Sequence, residues 1–193
     1  MIVRNSWQMF TAALDDEVVT KIVESAGPTD VATTFNTKDF DVAHPDNVEQ
    51  VSSIRSSRVS WLNNQPWVLD MLYFYVDLAN QSAFKVNVNK KAEIQYTEYH
   101  ADQGGHYGLH HDIDWNRNDG FDRKLSVTVQ LSDPFDYEGG GFEFTETESP
   151  MAGASKAKGT VLIFPSYLQH KVNPITKGVR RSLVAWFEGP QWV

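Results

Sequence analysis

The chain has 193 residues, 41% hydrophobic and 12% aromatic, which suits one domain with a large core. Its 17 basic residues against 25 acidic ones leave a net charge of −8, which argues against general attraction to a phosphate backbone, and the absence of cysteine removes disulfides, thiolate metal sites and cysteine nucleophiles. No apolar run approaches the roughly 18 residues of a membrane helix, and MIVRNSWQMF lacks the layout of a signal peptide, so a cytoplasmic protein without membrane attachment is expected.

In chain order, LDDEVVTKIVESAGP is the first expected helix, with acids at its start, Val18, Val19, Ile22 and Val23 on one stripe, and a Gly27-Pro28 stop. The stretch from Thr29 to Arg58 is polar and without steady period, so it is expected to be a loop or weakly ordered segment able to serve as a substrate lid. QPWVLDMLYFYVDLAN is a second helix, with Pro66 in its first turn, and its aromatic stripe, including Trp67, Tyr73 and Tyr75, has the spacing of core packing.

From Ala92 the pattern changes to strands. In LSVTVQLS the residues Leu125, Val127, Val129 and Leu131 are apolar and alternate with Ser126, Thr128 and Gln130, so one face packs and the other lines a site. IQYTEY repeats this less cleanly, with Gln95, Thr97 and Tyr99 on one face. Turns at NRNDG and YEGGG divide the strands, and there are no internal repeats. Helices first and short strands afterwards predict a mainly β, α+β fold: a double-stranded β-helix, or jelly roll, with N-terminal helices on one sheet. Residues 1–193 would form one domain, with 1–91 as helical support and candidate substrate loop and 92–193 as the catalytic core.

Two H-x-D motifs fall in this half, His100-Ala101-Asp102 and His110-His111-Asp112, where composition alone yields roughly half of one by chance. Residues i and i+2 of a strand share a face, which suits either pair for one metal. Gly104-Gly105 reads as the turn ending IQYTEY, which leaves His100 and Asp102 at a loop and favours His110 and Asp112. His170 follows the buried-type run TVLIF and a Pro165-Ser166 turn; with the other two it makes a pair of imidazoles and one carboxylate, a set that leaves half of an octahedral Fe(II) open. Arg180 offers a planar fork to a carboxylate, with the Ser182 hydroxyl on the same strand face.

The blocks IQYTEY, GGHYGLHHD, LSVTVQLSDPFDYEGGGFEF and KGTVLIFPSYLQHKVNPITKGVRRSLVAWF occur in the order found in the 2-oxoglutarate- and Fe(II)-dependent oxygenases. The stretch from about Ile94 to Trp186 resembles their catalytic core, specifically the prolyl 4-hydroxylase-like branch with the bacterial PKHD-type hydroxylases. The resemblance implies that His110, Asp112 and His170 bind iron, that Arg180 with Ser182 binds the distal carboxylate of 2-oxoglutarate, and that Tyr99 also reaches 2-oxoglutarate. It implies Fe(II), 2-oxoglutarate and O2 as cofactor and cosubstrates, with ascorbate a candidate reductant. Three departures stand out. Gln130 occupies a position where several prolyl hydroxylases carry tyrosine, which leaves a hydrogen-bonding group there for 2-oxoglutarate but no ring. The loop from Tyr99 to His110 is about one or two residues longer than in close relatives. Arg180 stands where some members use lysine.

The implied reaction converts 2-oxoglutarate to succinate and carbon dioxide while oxygen enters a substrate C–H bond. The Asp112 carboxylate argues against halogenation, which needs that ligand position open. The leading expected substrate is a prolyl residue in a protein or peptide, with a free amino acid or other small molecule next. A barrel that binds metal and 2-oxoglutarate without turnover is a further reading, and a nucleic-acid partner is disfavoured by the acidic charge. Substrate contacts are expected from the loop Asp114–Asp122, through Trp115 and Arg117, and from the stretch Phe35–Ser57.

Overall fold

The computed structural model describes residues 5–33 and 45–192. The first part of the chain contributes β1 (Gln8–Phe10), helix α1 (Asp16–Ser25), β2 (Asp30–Val31), helix α2 (Pro45–Ile54), β3 (Arg55–Ser56), β4 (Arg58–Trp61) and helix α3 (Pro66–Ala79). There follow β5 (Ala92–His100), β6 (His106–His110), β7 (Phe121–Gln130), β8 (Tyr137–Gly139), β9 (Phe142–Phe144), the short helix α4 (Ala152–Lys156), β10 (Val161–Pro165), β11 (His170–Val172) and β12 (Ile175–Pro190).

The major antiparallel sheet has the order β1-β10-β7-β12-β5-β4-β2, with β8 joined to the first part of β12, and the minor sheet has the order β3-β6-β11-β9. This is the expected double-stranded β-helix, and side chains from both sheets line the cavity between them. The alternation in β7 is realised as read: Leu125, Val127 and Val129 are fully buried in the main core with Leu72 and Val76 of α3 and Ile22 of α1. Each such side chain contributes about 1.5–3 kcal/mol through burial, so the helices fix the outer face of the sheet whose inner face carries Ser126, Thr128 and Gln130.

Both expected helices form, and their ends follow from local chemistry. The Asp15 carboxylate accepts from Val18 N at 2.9 Å and caps α1. Pro66 opens α3, where its missing N–H costs nothing, and a wide final turn closes on Lys85 N donating to Asn80 O at 2.8 Å. Among the described residues, no helix is long and apolar enough to cross a membrane.

The first part of the chain is less purely helical than its composition suggests. β1 and β2 extend the two edges of the major sheet, β4 pairs with β5, and β3 pairs with β6 of the minor sheet. The polar stretch from Thr29 to Arg58, expected to be a loop, contains β2, α2 and β3 among its described residues, while Phe35 and its neighbours through residue 44 lie outside them. Strands of two or three residues are too short to show a period, and on α2 Glu49, Gln50, Ser52 and Ser53 are exposed around a buried Val51.

Candidate metal centre

Backbone hydrogen bonds bring the three proposed ligands together. β6 ends at His110, and His170 opens β11 directly opposite it in register. Asp112 lies just beyond β6, not within it; its own N–H and that of Ile113 both donate to Ser166 O, at 3.0 and 3.2 Å. His110 Nε2 is 3.5 Å from Asp112 Oδ1, and His170 Nε2 is 3.6 Å from Asp112 Oδ2. The candidate ligand atoms of the three residues all lie within 4.8 Å of one another.

The protonation states suit a cation. His110 Nδ1 donates to Gly108 O at 2.8 Å and His170 Nδ1 to Leu168 O at 2.9 Å. A carbonyl only accepts, so each Nδ1 carries a proton and each Nε2 can present a lone pair inward. Burial pushes the His170 imidazole down to about 4, against the opposing charge of Asp112. Burial by itself would raise the Asp112 carboxyl, but His170, His110 and Ser126 hold it well below the usual carboxylate range. Nitrogen, nitrogen and carboxylate oxygen converging without sulfur fit a 2-His-1-carboxylate site for Fe(II).

Aromatic rings enclose these ligands. Tyr107 stacks on His110 with centroids 3.5 Å apart, and Arg55 lies over the Tyr107 ring with its guanidinium carbon 4.6 Å from the centroid. Phe142 and Phe164 flank His170 at 5.2 and 4.8 Å. Burial raises the Tyr107 phenol to about 12, with Arg55 opposing, so the ring is a neutral wall. Arg55 donates to Ser57 Oγ at 2.7 Å and Gln95 Oε1 at 2.9 Å. Tyr107, Phe142, Phe164 and Arg55 were not singled out by sequence pattern.

Arg180 lies in the same cavity, on the inner face of β12. It is 5% exposed, its NH1 lies 3.4 Å from Ser182 Oγ, and among the described residues it has no carboxylate partner. A buried guanidinium without an anion is costly to retain unless a ligand supplies one. Tyr99 faces it across the β5–β12 pair, with the Arg180 guanidinium carbon 5.5 Å from its ring centroid. Arg181 points to the opposite face, where its Nε is 3.2 Å from Glu98 Oε1.

The remaining candidates do not line this cavity. His100, the last residue of β5, bonds Glu98 Oε2 at 3.0 Å, and Asp102 follows in a single helical turn, so this H-x-D does not join the metal cluster. Gln130 is paired in register with Ser182 and bonded to Tyr137, a residue the sequence pattern did not single out. Trp115 and Arg117 do not line the cavity that holds the metal cluster. Trp115 is 64% exposed, while the Arg117 guanidinium is engaged by Asp119 and Glu188.

Residues 94–188 match the family model described as the 2OG-Fe(II) oxygenase superfamily. A PKHD-type hydroxylase of Idiomarina loihiensis is 31% identical over 114 residues, 58% of this chain and 51% of that protein. A second, from Colwellia psychrerythraea, is 38% identical over 86 residues, 44% of this chain and 38% of its own. The chain thus spans about half the length, or less, of the curated relatives it matches. Solved structures with the same fold include a Pseudomonas putida prolyl-4-hydroxylase, with TM-score 0.65, 18% identity, and coverage of 96% of this chain and 94% of that one. A Trichoplax adhaerens prolyl hydroxylase in complex with a peptide fragment of the hypoxia inducible factor oxygen degradation domain gives TM-score 0.69 at 15% identity, covering 95% of this chain and 83% of that one. Convergence of two imidazoles, a carboxylate and a buried arginine inside a double-stranded β-helix agrees with the family match, and over residues 94–188 the chain matches the 2OG-Fe(II) oxygenase superfamily.

Proposed function

We propose that the protein is an Fe(II)- and 2-oxoglutarate-dependent dioxygenase that hydroxylates a C–H bond of a prolyl residue in a protein or peptide. The observation that carries the oxygenase reading is the joint placement, in one cavity, of the His110, Asp112 and His170 cluster and the buried Arg180, which has no carboxylate partner among the described residues. Together they offer a cation site and an anion site to one small dicarboxylic keto acid. The prolyl reading is supported by sequence similarity to PKHD-type hydroxylases and by a fold shared with prolyl hydroxylases.

His110, Asp112 and His170 would hold the metal through two imidazole nitrogens and one carboxylate oxygen. When bound, Fe(II) and 2-oxoglutarate supply the oxidising chemistry with O2, yielding succinate and carbon dioxide and placing one oxygen atom in the substrate. The chain's own part is positioning and exclusion of water. Arg180, with Ser182 and Tyr99, anchors the distal carboxylate so that the keto acid has one pose, and Tyr107, Phe142 and Phe164 keep the ligand surroundings apolar.

The test is succinate formation by the Fe(II)-loaded protein with proline-containing peptides, free proline and a methylated oligonucleotide as separate substrates. Substrate-stimulated succinate with a peptide, together with a mass gain of one oxygen, is the expected result. Stimulation by free proline alone would move the substrate to small molecules, and no succinate with any of them would leave a binding protein.

A further inference from the structure

Near Arg180, Gln130, expected to offer a hydrogen bond to 2-oxoglutarate, is bonded to Tyr137, which has no part in the reading above. Gln130 Oε1 is buried without a partner, although Gln130 Nε2 donates to the Tyr137 hydroxyl oxygen at 2.9 Å and lies 3.4 Å from Ser132 O. Gln130 stands opposite Ser182 in register, and Tyr137 enters from β8. The Tyr137 ring also bears on Arg180. A Cβ at Gly140 would lie 3.0 Å from Arg180 Cδ and 3.1 Å from Tyr137 Cε2, so the shaft of the arginine and the ring share a space that only glycine leaves free.

A carboxamide can sit either way round. With Nε2 toward the phenol, Oε1 is a buried acceptor with no donor. With the amide turned, the phenol O–H donates to Oε1, the long bond from Nε2 to Ser132 O is given up, and Nε2 occupies the partnerless position as an unused donor. A carboxylate held at Arg180 and Ser182 brings acceptor lone pairs to this corner and so favours the turned form. Burial raises the Tyr137 phenol above its ordinary value, with the Arg180 charge and hydrogen bonds from Arg180 and Gln130 opposing, which keeps it protonated at neutral pH.

We infer that Tyr137 is a positioning residue of the carboxylate anchor: its hydroxyl orients the Gln130 amide with nitrogen toward the anion, and its ring holds the Arg180 shaft in line. The inference rests on the reading of Arg180 as the anchor of 2-oxoglutarate. Thus the long β7 supplies the amide, and a three-residue strand after a turn supplies the ring and hydroxyl.

The experiment is calorimetric binding to the Mn(II)-loaded protein, without any substrate, of 2-oxoglutarate and of oxalate, which chelates a metal similarly but is too short to span to Arg180. Tyr137→Phe keeps the ring and should weaken 2-oxoglutarate roughly tenfold while changing oxalate by less than about twofold. Gln130→Met should do the same, and the double variant should lose little more than either single one, because both act through one bond. Unchanged 2-oxoglutarate affinity in Tyr137→Phe, equal loss of both ligands, or additive losses in the double variant would each overturn the inference. Arg180→Ala separates it from its premise: if that variant keeps its preference for 2-oxoglutarate, the anchor reading itself is wrong, whereas selective loss there with a silent Tyr137→Phe sinks only the role of Tyr137.

Discussion

Tyr107 lies flat against His110, with planes 11° apart, although three residues of sequence separation would place them on opposite faces of a regular strand. The register explains it: His170 pairs with His110 and Val172 with Tyr107, so β6 spends three steps where β11 spends two. The extra residue is a bulge at Gly108–Leu109, and Gly108 O is the acceptor that fixes the His110 ring.

Because the stack and that carbonyl together set the ring's orientation, Tyr107→Ala should lower Mn(II) affinity about tenfold, the scale on which supporting groups act at metal sites. Tyr107→Phe, which keeps the stack, should stay within about twofold. Calorimetric titration of the metal-free protein measures both, and equal affinities for the alanine variant and the parent would show that the stack is packing alone.

Ligand assignment is tested by stoichiometry. The parent should bind one Mn(II) per chain at the cluster, and His110→Ala or His170→Ala should abolish that site and all succinate formation. His100→Ala, whose ring is taken up by Glu98, should retain both. Loss of metal in His100→Ala with retention in His110→Ala would mean that the other H-x-D binds it.

How much of this was readable beforehand depended on regularity. Ten residues of β7 repeat one alternation, so its buried and cavity faces could be told apart from sequence, and the same rule separated Arg180 from Arg181 on β12. Tyr107 was hidden by the bulge, which shifts parity exactly where the ligand sits. Arg55 lies on a two-residue strand after a polar helix, and Tyr137 on a three-residue one after a turn; neither segment is long enough to declare a face. Asp112 was found by a strand rule although it lies past the strand end, where its position is set by two N–H bonds to Ser166 O that no local pattern encodes.

The loop after Asp112 is tied to the core by a buried carboxylate. Glu188, 3% exposed at a register shift in β12, receives Arg117 at 2.5 Å and Lys91 at 2.9 Å. Burial would raise its carboxyl, but Arg117 and Lys91 outweigh burial and hold it below the ordinary value. Since an unfolded glutamate titrates near about 4.3, the stabilisation is complete above that pH and fades as pH falls toward the lower folded value. Glu188→Gln should therefore melt about 4–8 °C below the parent at pH 7, for roughly 2 kcal/mol, and the gap should narrow toward pH 3. Thermal unfolding followed by circular dichroism at pH 7, 5 and 3 checks this, and a gap that stays constant would remove the ion pairs as its cause.

Trp115 is the exposed part of that same loop. Arg117 bonds Asp119 and Glu188, Asp114 Oδ1 accepts from Asn116 N at 3.1 Å, and Asp119 Oδ1 accepts from Phe121 N at 3.1 Å, so the backbone is braced on both sides of an indole that is 64% exposed. A braced loop presenting one large aromatic ring directly after a metal-binding segment suits contact with a macromolecular substrate better than a swinging lid. Trp115→Ala should then reduce kcat/KM for peptide hydroxylation by about tenfold, the cost of losing an aromatic contact. Uncoupled conversion of 2-oxoglutarate to succinate, which needs only the metal ligands and the Arg180 anchor, should change by less than about twofold. Both rates are read from succinate and hydroxylated peptide in the same reaction. A parallel fall in the two would assign Trp115 to support of the iron site, and the substrate-contact reading of the loop would be abandoned.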